Sequence, residues 1–221
     1  MKLFGSRFEQ VAAIVLKDFR VGMRRRAALA AMLMFALTTA ASLSLSIGGA
    51  LPEPKFSAAL LWIVIFFAAC AGISGTFDDE AQAGTLPTLK LYAAAQAILF
   101  GKMLYVSASL AALTIFILPI FLVLFDVAAK NFLLLAVTIL LGLIGLAAAG
   151  TLTAALTTSA TVKGDLFPIL LFPVTLPIFL PAIELTEIAL TGAAVEVSLL
   201  VVIAAFDLIL IIATSILFDY L

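Results

Sequence analysis

Six long apolar runs alternate with short polar stretches along the chain, at about Ala27–Ile47, Ala58–Gly75, Met103–Phe125, Phe132–Ala155, Leu166–Ile183 and Val197–Leu217. Each run reaches the ~17–25 residues that carry a helix across a bilayer. The apolar residues follow one another without alternation, which excludes the strand pattern of an outer-membrane barrel. No polar stretch approaches the ~50 residues of a separate soluble domain. The pattern predicts an all-α polytopic membrane protein with a single transmembrane domain over 1–221.

Ahead of the first run, Phe4, Phe8, Val11, Ala12, Val15, Phe19 and Met23 recur at helical spacing. Arg7, Glu9, Gln10, Lys17, Asp18, Arg20 and Arg24 lie mostly off that stripe. Residues 1–26 therefore read as an amphipathic helix in the membrane interface, basic side toward the headgroups. A signal peptide fits less well, because both the basic region and the apolar run after it are too long.

Between the second and third runs lies the most polar segment after Arg26, TFDDEAQAGTLPTLKLYAAAQAILFGK, Thr76 to Lys102. Thr76 can cap a helix whose dipole favours Asp78, Asp79 and Glu80 in its first turn. Gly84 offers a stop, and Thr85 can cap a second short helix that tolerates Pro87. Residues 76–91 are thus either a solvated loop or a helical surface presented to a partner. In the second case Leu86 and Leu89 would be its apolar anchors and the carboxylates its charge.

Individual runs carry further expectations. Thr38, Ser42 and Ser46 share one face of the first, and Gly145, Ala149 and Thr153 form a small-residue ridge on the fourth, both suited to helix contact in lipid. Trp62 is placed for an interfacial belt. The fifth run holds Pro168, Pro173, Pro177 and Pro181, which predicts either a kinked packing helix or a broken or re-entrant segment. ELTEIALTGAAVE then reads as a short outer segment. Asp207, centred in the sixth run, is either a pathway group or a carboxyl hydrogen-bonded to a neighbouring helix.

Composition agrees: 65% of residues are hydrophobic, 11% are charged, and mean hydropathy is +1.32. Placement of charge says more than its sum. With the N-terminus inside, ten of the twelve Lys and Arg residues fall on the cytoplasmic side and only Lys55 and Lys130 outside. That asymmetry predicts six spans with both termini cytoplasmic. The chain has no histidine, so imidazole chemistry is excluded, and the lone Cys70 reads as a buried small hydrophobe. Gly101-Lys102 lacks the rest of a phosphate-binding loop. The chain is therefore not expected to be an enzyme or to bind a cofactor or metal. Any ATP-driven work must come from another chain, and no nucleic-acid partner is expected.

An interfacial basic helix, six spans and F-D-D-E…G-T-L-P-T-L…G-K between spans two and three resemble an ABC-2-type exporter permease. More narrowly, LSLSIGGALPEP, FDDEAQAGTLPTL, PVTLP and the terminal LFDYL resemble the haem exporter protein B family (CcmB) of cytochrome c maturation. The likeness spans essentially the whole chain and departs from the family pattern at Pro87 and around Asp78. It implies a bacterial inner-membrane permease whose residues 76–91 act as the coupling helix. It implies as partners a separate ABC ATPase in two copies, a haem-handling integral membrane protein, a periplasmic haem chaperone and a possible second copy of the chain. It further implies that ATP on the partner drives either haem export or release of the loaded carrier. The competing readings are an ABC-2 exporter of a lipid, glycan or drug, and a non-transporting scaffold.

Overall fold

The structure, a computed structural model, describes residues 7–24, 26–48, 52–73, 84, 89, 91–159 and 166–218, with backbone alone at 26–29, 158 and 159. Among these residues there are seven long helices: α1 (Arg7–Arg24), α2 (Arg26–Ile47), α3 (Pro54–Ile73), α4 (Ala95–Leu124), α5 (Phe132–Ser159), α6 (Phe167–Thr191) and α7 (Val197–Phe218). The last six are long and apolar enough to cross a membrane. The expected all-helical, polytopic architecture is the observed one.

Two helices exceed their sequence-based bounds by eight residues each. Helix α4 begins eight residues before Met103, because Ala95, Gln96 and Ala97 are good helix formers and the Gln10 carboxamide oxygen accepts from the Ala94 N–H (3.2 Å) at its start. Its 30 residues span about 45 Å, against ~30 Å of hydrocarbon, so the helix is longer than an untilted crossing requires. Helix α6 is continuous through Pro173, Pro177 and Pro181, with Pro168 in its first turn. Of the two readings of the prolines, the packing helix is the observed one and the broken span is not. Prolines four apart leave the carbonyls of Ile169, Pro173 and Pro177 without their helical donor, all along one stripe, while the fixed proline φ stays helical. The other faces are held by packing on α5, α3 and α7. The helix also absorbs Glu184 and Glu187, expected in an outer loop, and ends at Gly192, whose left-handed φ of 75° forms the C-cap.

Helices α3 and α5 are the most enclosed and α2 and α7 the least. The ridge of Gly145, Ala149 and Thr153 is buried, and glycines let bulky neighbours sit on the α5 backbone: Trp62 against Gly142, Ile73 against Gly150. Trp62 is 1% exposed and donates from Nε1 to Thr186 Oγ1 (3.0 Å). It is a core anchor, not a belt residue. The Thr38–Ser42–Ser46 face does not meet another helix of the chain. All three are exposed, and Thr38 and Ser46 return their hydroxyls to their own helix. Helix α2 packs through Met32, Ala36 and Ala40 instead, alanines giving the closer approach.

The bundle has two distinct ends. At one, Ser44 Oγ donates to Leu124 O (2.8 Å), and the N–H groups of Lys130 and Asn131 both donate to Ala189 O. At the other, α1 lies along the start of α4. One continuous core runs from Ile14 in α1 to Phe218 in α7.

This packing predicts opposite outcomes for two substitutions of similar size. Gly142→Leu, which drives a side chain into Trp62, should destabilise the detergent-solubilised protein by about 1–3 kcal/mol. Ser42→Leu, on the open face of α2, should leave thermal unfolding unchanged. Equal effects would refute the assignment of packing faces.

Candidate functional site

The sequence singled out the segment before α4, and the structure shows what that segment connects to. The Ala93 N–H donates to Leu89 O (3.0 Å), closing a helical turn that leads to Ala94 and α4. Gly84 has a φ of +67°, the left-handed geometry that ends a helix. Asp78, Asp79, Glu80, Thr85 and Leu86 lie outside the described residues. Leu89, expected to face a partner, packs instead against the chain's own core. The open apolar side chains are Leu91, 85% exposed, and Tyr92 beside it.

Helix α1 runs roughly parallel to the first half of α4 and presents three faces. Val11, Ile14, Asp18 and Gly22 fall on one side, toward α4. Phe8, Phe19 and Met23 fall about a quarter-turn round and are exposed, as suits lipid contact. Arg20 and Arg24 fall beyond them and are exposed too. The amphipathic helix is therefore present, but its interfacial face is only one of two apolar-facing sides. The other is closed onto α4 at glycines: Gly101 lies under Ile14, and Gly22 lies under the Tyr105 hydroxyl.

Between these two close contacts sits a buried ion pair. The Lys102 ammonium lies 3.7 Å from Asp18 Oδ2, and the Lys102 side chain is 1% exposed. Lys17 approaches the other carboxylate oxygen at 3.0 Å. Arg7 adds a hydrogen bond to Gln96 Oε1 (3.3 Å) near the start of both helices. A charge withdrawn from water this far must be compensated by a partner. Lys102 and Asp18 were both read from sequence as members of solvent-facing polar sets. The missed signal was Gly101 directly before Lys102, a small residue that lets a second helix close over the lysine stem.

Asp207 is 4% exposed and faces α5, where its carboxylate lies against Gly145. Neither oxygen has a hydrogen-bond partner, so the bond to a neighbouring helix allowed for in the sequence is not made. Its buried face continues through Ile203, Leu210, Thr214 and Phe218; Ala204 is exposed. On α6, Pro173 is exposed, Pro177 and Pro168 half-buried and Pro181 buried, so the proline stripe turns from the outside into the bundle. The described residues contain no group of His, Cys, Asp and Glu able to hold a metal ion.

The family model described as CcmB protein matches residues 9–217, from the first turn of α1 to the last turn of α7. This chain belongs to the CcmB family. No curated protein matches it. CcmB membership makes the chain a membrane permease component of an ABC system for haem transport in cytochrome c biogenesis, and not an enzyme in itself. The match takes in α1, so the clamped helix belongs to the CcmB unit and not to an appended leader.

The ion pair gives a test of the α1–α4 contact in this CcmB chain. Asp18→Leu removes a carboxylate from beside the buried Lys102 ammonium and should cost about 3 kcal/mol of stability, and the double variant Asp18→Leu/Lys102→Met should recover part of that loss. Additive losses in thermal unfolding would mean that the two residues do not act as a pair.

Proposed function

We propose that this chain couples ATP hydrolysis on a separate ABC ATPase subunit, present in two copies, to haem export or to release of the haem-loaded periplasmic carrier. The observation that supports this reading is the clamp of α1 along the start of α4, directly after residues 76–91. A push on that segment reaches α4 through Leu89 and the helical turn at Ala93. Because α1 is bound to α4 by Asp18–Lys102 and two glycine contacts, the two helices move together. Helix α4 packs on α5, and α5 on α6 and α7, so displacement at one end of the bundle has a packed path to the other. Asp78, Asp79, Glu80, Gly84, Thr85 and Leu86 belong to the ATPase-facing surface in this reading, with Leu91 replacing Leu89 as its exposed apolar anchor.

The chain sits in the bacterial inner membrane with both termini cytoplasmic, which places ten of its twelve basic residues inside. The far end of the bundle, with the Asp126–Asn131 and Gly192–Glu196 connections, then faces the periplasm and an integral haem-handling partner. Leu91→Asp should release the ATPase during co-purification and abolish c-type cytochromes, while the protein still inserts. Leu89→Asp should instead lower stability. Leu91→Cys should react with a membrane-impermeant thiol reagent only after cells are opened. Retained ATPase and cytochromes in Leu91→Asp, or labelling of Leu91→Cys in intact cells, would contradict the coupling assignment.

Haem is cargo of the assembly and not a resident of this subunit. A stable haem site needs a strong axial ligand, most often histidine, and the chain has none. Cys70 is buried in α3. Met23, Met32 and Tyr105 do line a common groove, but at the α1 end, away from the side of delivery. The isolated subunit from haem-replete cells should show no Soret band near one haem per chain. A band at that stoichiometry, lost on replacing Met23 or Met32, would overturn this.

A further inference from the structure

Where α1, α2 and α4 meet, the bundle leaves an open groove of about 370 Å³, in the size range of small-molecule sites of roughly 300–1,000 Å³. Its walls are Phe19 and Met23 from α1, Met32 from α2, and Tyr105, Ala112 and Phe116 from α4. The lining is almost wholly apolar; the polar exceptions are the hydroxyls of Tyr105 and Ser109. The groove starts beside the α1–α4 clamp and runs along α4 toward the middle of the bilayer, since Ala112 and Phe116 lie two to three turns beyond Tyr105. Phe19, Met23 and Phe116 are each more than half exposed, so the groove opens sideways, toward lipid.

Charge on the neighbouring positions of α1 indicates what enters. Helix α1 carries Arg20 and Arg24, both exposed and adjacent in sequence to the lining residues Phe19 and Met23. The only carboxylate within that half of α1, Asp18, is turned inward to Lys17 and Lys102. That half of α1 therefore carries exposed guanidinium groups next in sequence to the groove wall, without an exposed acid among them. A tunnel for a polar solute would need hydrogen-bonding groups along its length, and a seat for a soluble partner would not run into the hydrocarbon region.

We infer that this groove binds an anionic phospholipid, one acyl chain lying between α1 and α4 and the phosphate held by Arg20 and Arg24. Methionine suits such a wall, because its flexible thioether adapts to a chain of variable kink. Planar guanidinium groups suit a phosphate, which they bind through paired N–H donors. The lipid completes the contact of α1 with α2 and α4, so it supports the clamp from its open side. The inference stands on the groove and its charge and does not depend on what the assembly transports.

Native mass spectrometry of the full-length protein in detergent tests it, with dioleoyl-phosphatidylglycerol and dioleoyl-phosphatidylcholine added in equal amounts. The wild-type chain should retain one phosphatidylglycerol, on the order of tenfold in preference to phosphatidylcholine, as two arginines near the headgroup would give. Ala112→Trp, which fills the groove, should lose the retained lipid of either kind. Arg20→Gln/Arg24→Gln should keep a lipid but lose the preference. Thermal unfolding of each variant confirms that it is folded; should Ala112→Trp fail to fold, Ala108→Leu in the same wall replaces it. Lipid adducts that are equal for both headgroups in the wild type, or unchanged by the filled groove, would overturn the proposal. So would a haem-mass adduct, or a dimer in place of a lipid adduct, that disappears when the groove is filled.

Discussion

A lysine ammonium at 1% exposure cannot be left without a counter-charge, and the course of the first helix follows from that requirement. Lys102 lies in the first third of α4, and among the described residues Asp18 of α1 brings a carboxylate to it. Removing either partner from a buried pair costs several kcal/mol, although the pair itself stabilises little relative to apolar residues of the same volume. Its main consequence is therefore register. Only one placement of α1 brings Asp18 to Lys102 while setting Ile14 on Gly101 and Gly22 under Tyr105. An amphipathic helix without such a constraint would be free to rotate and slide in the interface. This one is fixed to α4, the helix that follows residues 76–91.

The remainder of the bundle is held by close contact rather than by charge. In lipid there is no hydrophobic force between helices beyond what lipid tails already satisfy, so approach distance decides. Helix α5 meets this with Gly142, Gly145 and Gly150, each covered by a large or polar neighbour, and with buried alanines between them. Most buried threonines return their hydroxyls to the carbonyl one turn earlier on their own helix, which removes an unsatisfied donor without recruiting a partner. The hydroxyls of Ser57 and Thr138 make no such bond, and Asp207 is buried against Gly145 with neither oxygen satisfied. The proline stripe of α6 is a second place where backbone acceptors lose their helical donors. Both features lie in the α5–α6–α7 half, the half that the proposed coupling must move.

Apolar run length carried the architecture: six spans and an amphipathic leading helix were legible because a bilayer sets a physical minimum that few other contexts share. Helix ends were less legible where polar residues were buried. Gln96 and Lys102 marked a boundary by residue type, yet α4 continues through both because α1 supplies their partners. Glu184 and Glu187 likewise suggested a loop although α6 carries them at its end. Side-chain direction was the weakest inference. Trp62 looked interfacial and is enclosed; the Thr38–Ser42–Ser46 face looked like a contact and is open; Leu89 looked like a docking anchor and packs inward. Spacing fixes which residues share a helix face, but which face meets a neighbour depends on residues far away in the chain.

The central claim is that α1 and α4 form one body that moves with the partner-facing segment. The direct measurement is a pulsed electron-spin distance between labels at Ala13 and Leu104, both exposed, with Cys70 replaced by alanine. It should be made on the assembly with its ATPase, in the nucleotide-free and ATP-bound states. The account predicts one narrow distance distribution that does not change with nucleotide, and a broadened one when Asp18 is replaced by asparagine. A wild-type distance that shifts between the two states would show that α1 moves independently of α4, and would contradict the account.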